Sequence, residues 1–218
     1  MMHLLNITPK KIKKICYFTV LLSFFTKIIF ASDLSECYQT PEIWELGILP
    51  KTYHTNNLTR KTGAAVFAKG TFIKITGKIL DDNCVPVSGA KVRIWQANAN
   101  GVYEFLKGNN ELKDKNFTGS GISITDNLGR YVFYTVYPGK PENRVPHVMF
   151  KVQHDNFQQL ETEMFFPEEK NNTDPILKNN VSKDKIHFLI AKYKKNELGY
   201  KVYQFNITLR GFNNYKEY

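Results

Sequence analysis

From Phe72 onward, apolar residues recur at every second position. Ile73, Ile75 and Ile79 fall on one side of the chain, and Lys74, Thr76 and Lys78 on the other. A strand turns successive side chains to opposite faces, so this alternation calls for a sheet with one face buried. Residues 91–96, 130–137, 145–153, 162–166, 185–192 and 201–209 are further strand candidates. Between them stand the turn signals Asp81-Asp82-Asn83, Ala99-Asn100-Gly101, Asp126-Asn127-Leu128-Gly129 and Asn196-Glu197-Leu198-Gly199. No segment of ten or more residues carries a 3.6-residue apolar repeat. Many short strands punctuated in this way predict an all-β fold, an antiparallel β-sandwich, wrapped by an irregular N-terminal segment up to Thr71.

What precedes the strands reads as an address. Lys10-Lys11-Ile12-Lys13-Lys14 is a basic start, residues 15–25 form an apolar stretch, and small residues near Ala31 offer a cleavage point. This is the pattern of a secretory signal peptide. Lys27 interrupts the run and leaves it short of the ~20 apolar residues of a spanning helix. The expected organisation is a signal peptide at 1–31, an irregular segment at 32–71, a β-sandwich at 72–212 and a tail at 213–218. The mature protein is expected outside the cytoplasm, periplasmic or secreted, with no membrane span after cleavage.

Export changes how charge and cysteines are read. The first 31 residues hold five lysines and no acid, so the formal charge of +10 falls to +5 in the mature chain. The remaining Lys and Arg are scattered along the sequence, which argues against a nucleic-acid partner. Cys16 leaves with the signal, and Cys37 and Cys84 remain. In an oxidising compartment such a pair reads as a disulfide, two separate buried thiols being the alternative.

More specific segments fill the spaces between strands. They are Ile94-Trp95-Gln96-Ala97-Asn98-Ala99-Asn100-Gly101-Val102-Tyr103, Asn116-Phe117-Thr118-Gly119-Ser120-Gly121 and Arg144-Val145-Pro146-His147-Val148-Met149-Phe150. Glu163-Met164-Phe165-Phe166-Pro167, Thr173-Asp174-Pro175-Ile176-Leu177 and the closing Val202-Tyr203-Gln204-Phe205-Asn206 follow in order. Together, from Cys37 to Gly211, they resemble the intradiol ring-cleavage dioxygenases, the protocatechuate 3,4-dioxygenase branch above all. The resemblance implies a prealbumin-like sandwich. It also implies a non-haem ferric ion held by two tyrosines and two histidines, with catechols cleaved between their hydroxyls. Phenolates suit such a hard, highly charged ion because they lower its charge.

The chain departs from that ligand pattern. Where the resemblance implies Tyr, two residues, Arg, two residues, His, one residue and His, the sequence has Pro141, Arg144, His147 and Met149. His147 is the matched ligand position, and Arg144 the position implied to orient the substrate, an ion pair with Glu142 or Glu163 being its structural alternative. The first tyrosine is expected within 107–115, which contains none. Tyr103 reads as a packing aromatic. Glu142 and Asp114 are candidate oxygen donors for a divalent ion, while His54, His154 and His187 lie elsewhere in the chain.

Three functions follow. The chain is a binding or interaction protein with the dioxygenase fold and no ferric iron of its own. Or it is the non-metal subunit of a two-chain enzyme, a subunit type the resemblance includes. Or it is an active dioxygenase with rearranged ligands. The implied partners are an aromatic small molecule or a related dioxygenase-like chain, in a homo- or hetero-oligomer.

Overall fold

Strand β1 (Phe72–Leu80) buries Ile73, Ile75 and Ile79 completely, as its alternation requires. The computed structural model describes residues 37–44, 50–108 and 110–211, without the side chains of 195–197. The expected signal peptide and C-terminal tail lie outside the described residues. β1 is followed by β2 (Lys91–Trp95), β3 (Ser120–Ile124), β4 (Arg130–Val136), β5 (His147–His154) and β6 (Phe157–Phe165). A short helix α1 (Pro175–Asn180) then precedes β7 (Lys192–Glu197), β8 (Tyr200–Gln204) and β9 (Ile207–Thr208).

The strands form two sheets. One runs β4-β1-β8-β7, with β9 on the far end of β1, and the other β3-β2-β5-β6. Ile73, Ile75, Tyr131 and Phe133 from the first sheet meet Val92, Ile94, Val148, Phe150 and Val152 from the second in one buried core. Full burial of each such aliphatic or aromatic side chain contributes about 1.5–3 kcal/mol. The sandwich is antiparallel except at β1, which pairs with β8 and β9 in parallel.

Three local expectations are corrected. Residues 185–192 were expected to be a strand, but Ile186–Leu189 is a 3-10 turn and β7 starts only at Lys192. With three residues per turn, Ile186 and Leu189 share one side and pack with Phe165 and Leu177. β3 was not anticipated, because Ser120-Gly121-Ile122-Ser123 offers little apolar alternation. A Cβ at Gly121 would lie 2.3 Å from the Thr55 carbonyl oxygen, so glycine is needed where that segment crosses the strand. β6 also begins at Phe157, well before the expected Thr162.

The irregular N-terminal segment covers sheet edges. Ile43 N–H donates to Glu161 O on edge strand β6, Ile122 N–H on β3 donates to Thr55 O, and Asn56 and Leu58 bond both backbone groups of Tyr134 on β4. Unpaired strand edges invite association, and these bonds satisfy them. A disulfide joins Cys37 to Cys84, deciding against separate thiols and fixing the start of this segment to the turn after β1.

Candidate active site

β5 separates two environments by strand periodicity alone. Val148, Phe150 and Val152 enter the core, and His147 and Met149 lie on the other face, only 1% and 6% exposed. The register across β2, β5 and β6 sets Trp95, Met149 and Glu163 in one row, with His147 opposite Phe165 in another.

His147 is fixed at both ring nitrogens. Nδ1 lies 2.8 Å from the Val145 carbonyl oxygen, which can only accept, so Nδ1 carries the proton. Nε2 is left to accept from the Tyr103 hydroxyl, 2.9 Å away. Tyr103 was read from the sequence as packing. The structure instead brings this phenol to the histidine, a contact that the packing reading missed.

The loop that delivers Tyr103 is held by Asn98 and Glu104. Asn98 Oδ1 accepts from the backbone of Asn100 and Val102, and Asn98 Nδ2 donates to Glu104, whose Oε1 also accepts from Asp114 N–H. Gly101, at φ +81°, lets this loop approach the next one, since a Cβ there would lie 2.3 Å from the Lys140 carbonyl oxygen. The turn signal Ala99-Asn100-Gly101 was legible. Its consequence for Tyr103 was not.

Arg144 is anchored from behind. Its Nε donates to both oxygens of Asp174, at 2.8 and 3.1 Å, and Nη2 donates to Glu163 Oε2. Of the ion-pair partners considered from sequence, Glu163 is used, and the unforeseen Asp174 joins it. Burial works against the Arg144 charge, but Glu163 and Asp174 outweigh it and raise the guanidinium pKa. Burial likewise pushes the Glu163 carboxyl above its ordinary value, opposed by Arg144 and assisted by Asp174. Glu163 Oε1 is buried with no hydrogen-bond partner.

Asp174 is fully buried and organises this corner. It caps α1 by accepting from Ile176 and Leu177 N–H, while its Oδ2 accepts from Val145 N–H. The carbonyl of the same Val145 orients His147. The Asp-Pro pair at the start of α1, an N-cap followed by proline at the first helical position, is a helix signal that the sequence reading did not use.

Tyr103, Leu106, Pro141, Glu142, Arg144 and His147 line a partly open cavity of about 230 Å³. That is below the usual range for drug-sized ligands and larger than a cavity able to take up benzene, so it has room for one small ring. Asp114 is engaged elsewhere, accepting from the backbone of Lys69 and Asn116. His154 packs on Phe157, and His187 on Phe188. Neither joins the cavity, nor does His54.

As a donor set for ferric iron, these residues are incomplete. Tyr103 and His147 are suitable, but they bond to each other. Pro141 has no donor, Met149 offers a soft thioether, and Glu163 and Asp174 are held by Arg144. Among the described residues, no group of three or more His, Cys, Asp or Glu side chains could hold a metal. The residues present do not fit a centre of two phenols and two imidazoles.

Residues 48–211 match the dioxygenase family. A Rickettsia typhi protein named only by class, as a dioxygenase, is 38% identical over 157 residues, covering 68% of this chain and 75% of its own. The protocatechuate 3,4-dioxygenase beta chain of Burkholderia cepacia is 35% identical, covering 65% of this chain and 66% of its own. Among solved structures, an intradiol ring-cleavage dioxygenase from Tetranychus urticae superposes with a TM-score of 0.60 at 19% identity, covering 83% of this chain and 98% of its own. The 3-chlorocatechol 1,2-dioxygenase of Rhodococcus opacus 1CP has the same fold, with a TM-score of 0.60 at 15% identity over 94% of this chain and 90% of its own. Sandwich, segment order and these matches agree: the chain belongs to the intradiol dioxygenase family.

Proposed function

We propose that this protein is an exported member of the family that binds a small aromatic compound in the His147 cavity without building a ferric centre of its own. The observation that carries this reading is the closed Tyr103–His147 pair, with Pro141 and Met149 in the two other implied ligand positions. A ring inside the cavity would meet the Tyr103 hydroxyl and the wall containing Arg144, groups suited to a phenol or a carboxylate. The Cys37–Cys84 disulfide supports an oxidising compartment, in keeping with the basic and apolar N-terminal pattern.

A second reading has one observation in its favour. The Burkholderia cepacia relative is named as a beta chain, which fits a protein that works beside a partner chain. In that reading the cavity is completed by a chain with the full donor set.

Metal analysis of the chain purified from iron-supplemented cells tests the proposal. The expected result is a colourless protein without stoichiometric iron. Stoichiometric iron with a visible tyrosinate absorption band, lost in Tyr103→Phe, would overturn it.

A further inference from the structure

Leu198 is 100% exposed and sits at φ +47°, a left-handed backbone that is costly for a leucine and suits asparagine or glycine. With Gly199 at φ +82° it forms the tight turn between β7 and β8, where Glu197 lies opposite Tyr200. Neither packing nor turn geometry accounts for a leucine at this position.

β1 and β8 run parallel, so the β7–β8 turn emerges at the same end of the first sheet as the loop leading into β1. That loop, residues 60–71, exposes Val66 and Phe67 at 62% and 50%. Rings join the two segments: the centroids of Phe67 and Phe72 are 5.8 Å apart, and those of Phe72 and Tyr200 6.3 Å. Tyr200 follows directly on the Leu198-Gly199 turn. One end of the sheet therefore presents apolar side chains on two projecting loops, linked at their bases by aromatic contacts.

Charge on these segments is mostly of one sign. The loop holds Arg60, Lys61 and Lys69 and no acidic residue, and residues 192–201 hold four lysines against one glutamate. Arg60, Lys61, Lys69 and Lys201 are exposed, and among the described residues none of them enters an ion pair. Arg60 lies over the Phe67 ring, 5.2 Å from its centroid, which sets a cation directly beside the apolar surface. At the opposite end of β4, in contrast, Arg130 is neutralised by Asp126 at 2.7 Å.

We propose that this end of the first sheet docks on the surface of an anionic phospholipid bilayer. Leu198, Val66 and Phe67 enter the boundary between headgroups and acyl chains, and Arg60, Lys61, Lys69 and Lys201 meet the lipid phosphates. A projecting side chain without neighbours calls for a fluid apolar phase, not a shaped pocket, which favours lipid over an acidic protein. A second copy is disfavoured, since two such ends would set cation against cation. The inference is independent of the reading of the His147 cavity.

Cosedimentation of the purified chain with phosphatidylcholine vesicles, with and without phosphatidylglycerol, tests it. Binding is expected with phosphatidylglycerol, little without it, and less in high salt. Arg60→Glu/Lys201→Glu should weaken binding by about tenfold or more. Leu198→Asn should weaken it several-fold while raising the melting temperature, because asparagine tolerates the left-handed turn. Leu128→Asn, in the turn before β4 at the far end of the sheet, should leave binding unchanged. Tryptophan emission from Leu198→Trp should shift to the blue on anionic vesicles beyond any change in the native chain, and that from Leu128→Trp should not. This pair decides the matter if the charge variant fails to fold. Absent binding, equal binding to neutral vesicles, insensitivity to the Leu198 and charge variants, an equal blue shift from Leu128→Trp, or tighter retention on immobilised polyglutamate than on vesicles would each overturn the proposal.

Discussion

The Tyr103 hydroxyl meets His147 Nε2 at 2.9 Å across 44 residues of sequence, and this bond ties the loop after β2 to the start of β5. A buried acceptor deprived of its donor costs about 1–3 kcal/mol. Tyr103→Phe should therefore lower the melting temperature by several degrees. In a double-mutant cycle, Tyr103→Phe should have little further effect in a His147→Phe background. Additive losses in that cycle would mean that the Tyr103 hydroxyl contributes independently of His147.

Asp174 serves the α1 cap, the Arg144 guanidinium and the Val145 amide at once. Breaking one side of such a buried ion pair typically costs about 3–5 kcal/mol. Asp174→Ala is expected to lose at least that much in chemical denaturation. Asp174→Asn should lose less, because its side-chain oxygen can still cap the helix. Equal losses would remove the cap from the explanation and leave the lost charge beside Arg144 to account for the whole effect.

What was legible in the sequence follows how local each signal is. The Ile73, Ile75 and Ile79 alternation, and the separation of His147 and Met149 from Val148 and Phe150, are properties of a single strand. Tyr103 escaped because its role depends on two loops meeting at Gly101, which no pattern within either loop encodes. Glu163 reaches Arg144 only through the β5–β6 register. Residues 185–192 looked like a strand because period two and period three are hard to separate in so short a run.

The Glu163 carboxyl sits above its ordinary value near 4.5, chiefly because it is buried. A carboxyl raised on folding contributes stability that is fully present below the unfolded value and is lost as pH climbs through the folded one. The stability of the native protein relative to Glu163→Gln should therefore be greatest in acid and decline as pH rises past 4.5. Denaturation curves at a series of pH values measure this difference. A gap that widens with pH would show that Arg144 dominates over burial.

The disulfide closes a loop with a sequence separation of 47. The chain-entropy relation gives about 4 kcal/mol for a loop of this length. Cys37→Ser/Cys84→Ser should lose stability of that order by denaturation, and the native protein should lose a similar amount in strong reductant. A much smaller loss would mean that the bonds from Thr40 and Ile43 to β9 and β6 hold the N-terminal segment by themselves.

If donor chemistry decides whether ferric iron is held, restoring the missing donors should restore the metal. Pro141 lines the cavity beside Tyr103 and His147, and Met149 lies two residues beyond His147 on the same face of β5. Pro141→Tyr/Met149→His would supply a second phenol and a second imidazole, the combination suited to a hard, highly charged cation. The double variant is expected to take up iron and acquire a visible tyrosinate band, while the native chain and each single variant bind weakly. Tyr103→Phe, added to the double variant, should diminish the band by removing one phenolate. A double variant that folds by circular dichroism yet takes up no iron would place the obstacle in the Tyr103–His147 bond and the Arg144 anchor, and not in the missing donors.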